Sequence, residues 1–301
     1  MADTLHAAAV REPDPRAVTR ARLSRQVRTQ VVPRVLLVLL SGFYLLPLYW
    51  MLVNALKGNA ELTQSPPTWY PHNPQWSNFQ RATEVFPFAL FLRNTSIITL
   101  MTVVGVALSV PVVAYGFSRI DWPGRDKLFY VVLATVFIPY PALIIALFDI
   151  FARLGWINSF KPLIVPFFFC FIPAPFWIFL LRQFFLQIPQ EISDAARLDG
   201  ASELRILYQV LMPQSWPALC AISLFAALNA WNDFLGPLLY LQDESKYTLS
   251  VGLTFFQSQS SYDIKFNLLM AASTLVILPV VVVFLSFQRF FVEGVTVGSL
   301  K

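Results

Sequence analysis

Six apolar stretches, each about twenty residues long and nearly free of charge, constrain this chain more than any other feature. They run from Val35 to Val53, Asn94 to Phe117, Leu128 to Phe148, Pro162 to Leu181, Gln214 to Leu241 and Phe266 to Gln288. An α-helix rises about 1.5 Å per residue and a bilayer core is about 30 Å thick, so each stretch is long enough to cross. None shows the apolar/polar alternation of an outer-membrane barrel strand. Of the 301 residues 56% are hydrophobic and only 13% charged, which excludes a water-soluble single-core enzyme. The fold class is an all-α membrane protein, a bundle of six transmembrane helices.

The placement of charge sets an expected orientation. With the N-terminus inside, 15 of the 22 Lys and Arg fall in inside segments, so the positive-inside rule puts both termini in the cytoplasm. The basic residues are dispersed between apolar runs, apart from an arginine-rich N-terminus, so the +5 net charge does not point to nucleic acid. Residues 1–30 carry too little apolar material for a core and read as a basic cytoplasmic tail near anionic lipid. The membrane domain then covers 31–291 and a short polar tail 292–301. The first apolar run is long and lacks a convincing cleavage site, so it reads as an uncleaved helix. Cys170 and Cys220 both lie in apolar runs without metal-ligand spacing and read as small apolar fillers.

The external connector between the first two spans holds Pro66, Pro67, Trp69, Tyr70, Pro71, Pro74 and Trp76 and reads as an ordered interfacial loop with aromatic anchors. More informative is the inside connector 182–213. After Pro189, residues Ile192, Ala195, Ala196 and Asp199 share one helical face. Gly200 ends that helix, since it takes a left-handed conformation at little cost. A second pattern follows with Leu204, Leu207, Tyr208 and Leu211 on one face, until Pro213. The small residues allow another backbone to approach closely, while Glu191, Asp194, Arg197, Asp199, Glu203 and Arg205 offer polar contacts. The residues alone fit either a docking knob or an amphipathic hairpin capping its own bundle.

The run from Glu191 to Pro213 resembles the EAA loop of the permease subunits of bacterial ATP-binding cassette importers. Asp194, Ala195 and Ala196 stand at the name-giving positions, Asp199, Gly200 and Ala201 match the DGA element, and Leu211, Met212 and Pro213 stand at its end. Asp194 replaces the usual Glu and Met212 the usual Leu. The WND at Trp231 to Asp233, the YTLSVGL at Tyr247 to Leu253 and the ending FQRFFVEGVTVGSLK are similar to the carbohydrate-uptake branch, in particular the smaller permease of maltose-type transporters.

The resemblance implies a type I importer permease of the bacterial inner membrane that moves a sugar or oligosaccharide into the cytoplasm. It implies that Glu191, Asp194, Ala195, Ala196, Asp199, Gly200 and Ala201 dock on an ATPase subunit. The implied partners are a second permease, two ATPase subunits and an extracytoplasmic sugar-binding protein. No cofactor is expected on this chain, since ATP and magnesium would sit on the ATPases. The external loop with Gln257, Ser258, Gln259, Ser260, Ser261 and Tyr262 at its tip would reach the binding protein; its composition equally suits a solvated loop. The C-terminal tail would approach the ATPase pair.

Within the fifth span, Asn229, Asn232 and Asp233 form a polar patch. A carboxylate at mid-membrane costs on the order of 3 kcal/mol, so it should face a water-filled path or a partner. A lining of the translocation path and an interhelical hydrogen bond both fit. No phosphate-loop motif is present, so hydrolysis of ATP belongs to another chain and this one is not expected to be an enzyme. A self-contained carrier or channel should show internal repeats or several buried charges. A membrane enzyme would need a metal set or an activated nucleophile, whereas the two histidines are His6 in the tail and His72 in an external loop.

Overall fold

The computed structural model describes residues 27–171, 174–258 and 265–297. Most of the expected N-terminal tail, the loop tip from Gln259 to Tyr262 and the last four residues lie outside the described residues. The chain divides into two compact units, residues 1–53 and 54–301. The first unit is dominated by α1 (Val32–Leu56), whose side chains from Val35 to Leu40 are exposed and apolar.

In the second unit the amphipathic α2 (Ser77–Glu84) precedes α3 (Phe88–Ser118). After it come α4 (Arg125–Ala134), α5 (Tyr140–Arg153), α6 (Lys161–Phe168) and α7 (Ala174–Gln187). The hairpin pair is α8 (Gln190–Leu198) and α9 (Glu203–Gln214). The longer helices that follow are α10 (Trp216–Asn232), α11 (Leu235–Tyr240) and the long α12 (Phe266–Val297), which runs on into the expected C-terminal tail.

Among the described residues α1, α3 and α12 are single helices long and apolar enough to cross a membrane. The third apolar stretch bends by 98° between Phe137 and Tyr140, where Pro139 and Pro141 remove backbone donors. A bend of 87° separates α9 from α10, between Pro213 and Pro217. The fourth stretch is broken between α6 and α7, and the fifth at Asp233.

The central element is α3. Outward it shows Ile97, Leu100, Val104, Leu108 and Val112, at helical spacing and all apolar, which is what a lipid-facing stripe requires. Its other face enters three buried clusters. Phe91 joins Ala82, Phe86, Phe256 and Leu268; Ile98 joins Leu147, Phe151 and Tyr240; Val106 to Phe117 join Trp177, Ile178, Ile206, Leu207 and Ile222. The Tyr247–Leu253 segment is pinned to the start of α3. Asn94 Nδ2 donates to the Ser245 and Tyr247 carbonyls at 2.9 and 3.0 Å, and the Leu249 amide donates to Thr95 Oγ1 at 2.9 Å.

Candidate functional site

Two regions hold the residues that the sequence singles out. The first is the α8–α9 hairpin. Gly200 has φ +78°, with open space where a β-carbon would project, so its constraint is torsional. The Ala201 amide donates to the Ala196 carbonyl and the Gly200 amide to the Arg197 carbonyl, both at 3.0 Å, which is the paired closure of a glycine-terminated helix. Ser202 then begins α9, its hydroxyl accepting from the Arg205 amide.

The base of the hairpin is in the core. Ile206, Leu207 and Leu211 are fully buried, while Leu204 and Tyr208 are exposed. Residues 206–211 wind as a π-helix, and the face buried there carries Ile206, Leu207 and Leu211. In α8, Ser193 is buried and Ile192, Ala195 and Asp199 are exposed. Leu198, which sequence reasoning passed over, is 90% exposed at the tip.

The hairpin's charges divide into two groups. Glu191 and Asp199 are exposed and form no side-chain bond among the described residues. Arg197 and Glu203 face each other across the Gly200 turn, with Nε to Oε1 at 2.9 Å and Nη2 to Oε2 at 3.1 Å, and Arg197 Nη1 also meets Asp194 Oδ1 at 2.8 Å. The Tyr115 hydroxyl donates to Glu203 Oε2. The Arg197 hydrogen bond, and then that from Tyr115, hold the Glu203 carboxyl below the ordinary carboxylate range. The reciprocal bond from Glu203 raises the Arg197 pKa. Arg119, buried just beyond α3, donates to Gln190 Oε1 at 2.6 Å, to the Ile188 carbonyl at 2.6 Å and to the Phe185 carbonyl. Apart from the Asp194 bond, these contacts span 6 to 88 positions and have no signature in helical spacing.

The second region is a cavity of about 470 Å3 where Asn229, Asn232 and Asp233 come together. Its walls are Tyr140 and Phe151 of α5, Leu163 and Phe167 of α6, Phe171 and Phe234. Asp233 sits at the break after α10, and its Oδ1 accepts from the Gly236 amide at 3.1 Å, which fixes the start of α11. A β-carbon on Gly236 would lie 2.4 Å from Asp233 Oδ2 and 2.8 Å from Leu163 Cδ2, so a larger residue there must displace one or both side chains. Asn232 Nδ2 donates to the Leu228 carbonyl at 2.8 Å. Asn229 is exposed and its amide forms no such bond among the described residues. Aromatic walls with a few fixed polar groups are the make-up of a small-molecule site.

Beyond α11, Asn158 staples the departing chain. It donates through its backbone amide to Tyr240, accepts from the Gln242 and Asp243 amides and donates to Asp243 Oδ2 at 2.7 Å. This fixes the base of the segment whose tip, from Gln257 and Ser258 onward, was expected to meet a binding protein.

Broken apolar helices around an aromatic-walled cavity that holds a few polar groups, with a braced hairpin at the end of the bundle, define a helical membrane permease. The chain belongs to the family of binding-protein-dependent transport system inner membrane components, which it matches over residues 97–297. It is 32% identical to the arabinooligosaccharides transport system permease protein AraQ of Bacillus subtilis, over 87% of this chain and 92% of that one. With the trehalose/maltose transport system permease protein MalG of Thermococcus litoralis it shares 32% identity over 91% and 99% of the two chains. Among solved structures it is similar to a chain of a bacterial ABC transporter involved in import of the acidic polysaccharide alginate. That match has a TM-score of 0.74 and 26% identity, over 89% of this chain and 98% of the other.

Proposed function

We propose that this permease forms one half of the membrane path of an ABC importer for a sugar or oligosaccharide, with a second permease as the other half. Two ATPase subunits would hold ATP and magnesium and seat on the α8–α9 hairpin, and an extracytoplasmic sugar-binding protein would deliver the cargo. The hairpin carries this reading, because its base is locked in the core while Leu198, Asp199, Gly200, Ala195 and Glu191 remain exposed around a tight turn. Small side chains and a fixed turn suit insertion into a groove on another protein. The distribution of Lys and Arg supports cytoplasmic termini and a cytoplasmic hairpin. Among the described residues three helices are long and apolar enough to cross, or up to five with each bent pair counted as one crossing, and the proposed six-span orientation adds the broken fourth stretch.

The cavity supports the choice of cargo. Amides and a carboxylate can meet sugar hydroxyls, while Tyr140, Phe151 and Phe167 can cover the apolar faces of a sugar ring. Relatives named for arabinooligosaccharides and for trehalose and maltose point the same way. ATP binding would bias the path between inward-open and outward-open states, and the bent helices provide places to move.

The test is uptake by proteoliposomes containing the full assembly, with ATP inside and a binding protein loaded with labelled oligosaccharide outside. Accumulation should require both ATP and the binding protein. Uptake driven by an ion gradient without ATP would overturn the proposal and support a self-contained carrier.

A further inference from the structure

We propose that α3 is the transmission element between the hairpin and the cavity, with Arg119 and the Tyr115–Glu203 contact as its two attachments. This rests on the coupling role proposed above for the hairpin. Arg119 is 5% exposed and holds three acceptors at once. Two are the Phe185 and Ile188 carbonyls at the end of α7, where a cation is favoured by the helix terminus, and the third is Gln190 Oε1 in the first residue of α8. A single guanidinium thereby joins the end of α3 to the entry of the hairpin.

The exit of the hairpin is joined separately. Arg197 Nη2 donates to the Arg119 carbonyl at 3.3 Å, and Arg197 grips Glu203 across the Gly200 turn. Glu203 in turn accepts from the Tyr115 hydroxyl, one helical turn before the end of α3. Both arms of the hairpin are therefore tied to the same short stretch, residues 115–119. Apolar surfaces can slide past each other with little penalty, whereas displacement here breaks charge-assisted hydrogen bonds.

At its middle, α3 is joined to α6 by neutral hydroxyl-to-carbonyl hydrogen bonds. Ser109 Oγ donates to the Phe167 carbonyl at 3.0 Å and Thr102 Oγ1 to the Leu163 carbonyl at 3.4 Å. Gly105 lies so close to Phe168 that a β-carbon there would be 2.7 Å from its ring. Leu163 and Phe167 are themselves walls of the cavity. A shift of the hairpin is thus carried along α3 and delivered to α6 and the cavity wall through directional bonds.

The experiment compares wild type, Tyr115→Phe and Arg119→Lys in the reconstituted assembly, reading sugar transported per ATP hydrolysed, ATPase subunit retained and melting temperature. Neither side chain is part of the exposed hairpin tip, so the ATPase should stay bound in both variants. Transport per ATP should fall about threefold in Tyr115→Phe and about tenfold in Arg119→Lys, with melting nearly unchanged in the former. Two outcomes would overturn the proposal. One is a wild-type ratio in both variants; the other is loss of transport only in step with ATPase retention and melting, as for a merely structural contact. Tyr115→Phe removes a single oxygen and decides the matter should Arg119→Lys fail to fold. Failure of the underlying coupling reading shows differently, as a wild-type protein that retains no ATPase.

Discussion

The hairpin and the cavity are both polar insertions in an apolar bundle, but they spend their polarity in opposite ways. In the hairpin Arg197, Glu203, Asp194 and Gln190 bond to one another or to Arg119 at the end of α3, while at the tip the apolar Leu198 is 90% exposed and, among the described residues, Glu191 and Asp199 form no side-chain bond. In the cavity aromatic rings build the walls, and Asn229 is left with an amide that bonds nothing among the described residues. A rigid knob that must transmit movement uses charge for bracing. A chamber that must hold and release a cargo keeps a few polar groups available and surrounds them with apolar surface.

That contrast breaks most sharply at Gly200. Gly200→Val forces a β-branched residue into φ +78° at a cost of about 2 kcal/mol, and should lower transport by about tenfold or more. Open space surrounds the site and Asn tolerates this backbone region, so Gly200→Asn should retain most transport in the same uptake assay. Equal loss in both variants would show that the tip needs room rather than a left-handed turn.

Gly236→Ala tests the cavity in the opposite sense, because the obstacle there is steric. The added methyl meets Asp233 and Leu163, and overpacking of this kind costs about 1–3 kcal/mol. Transport should fall while the ATPase remains bound, which affinity pull-down would measure. A smaller and more selective effect is expected from Asn229→Ala: the concentration of loaded binding protein giving half-maximal uptake should change about threefold, with basal ATP hydrolysis unchanged.

The hairpin brace also has a pH signature. Glu203 is held below its ordinary value of 4.5, so the stabilisation it contributes is present above that value and is lost as pH falls through the lowered pKa. Melting curves between about pH 3.5 and 6 should show a modest fall at the acid end for wild type that is weaker in Glu203→Gln. The smallest effect belongs to the exposed Asp149–Arg153 pair, 2.8 Å apart, where Asp149→Ala should change stability by less than about 0.5 kcal/mol.

What the sequence disclosed follows the same division. The apolar stretches and the helix–Gly–helix turn depend on residues close in the chain, and periodicity exposes them. Pro139, Pro141, Pro213 and Pro217 lie at the bends, but the angles of 98° and 87° depend on packing against other helices. Spacing alone grouped Leu204 and Tyr208 with Leu207 and Leu211, whereas the buried face carries Ile206, Leu207 and Leu211. Arg119 could not be found this way, because its acceptors lie 66 to 71 positions away. Asn229 and Asp233 were visible as polar residues in an apolar run. The aromatic walls that make them a site come from α5, α6 and the segments that follow α6 and α10.

The most direct test of the central claim is cross-linking from the hairpin tip in the intact assembly. With Cys170 and Cys220 replaced by Ala, a Leu198→Cys protein would be treated with a short thiol-to-amine cross-linker and the products identified by mass spectrometry. The account predicts capture of the ATPase subunit, with the introduced thiol protected from alkylation when ATPase is bound. Capture of the external binding protein instead, or labelling of that thiol by a membrane-impermeant reagent added outside sealed cells, would contradict it.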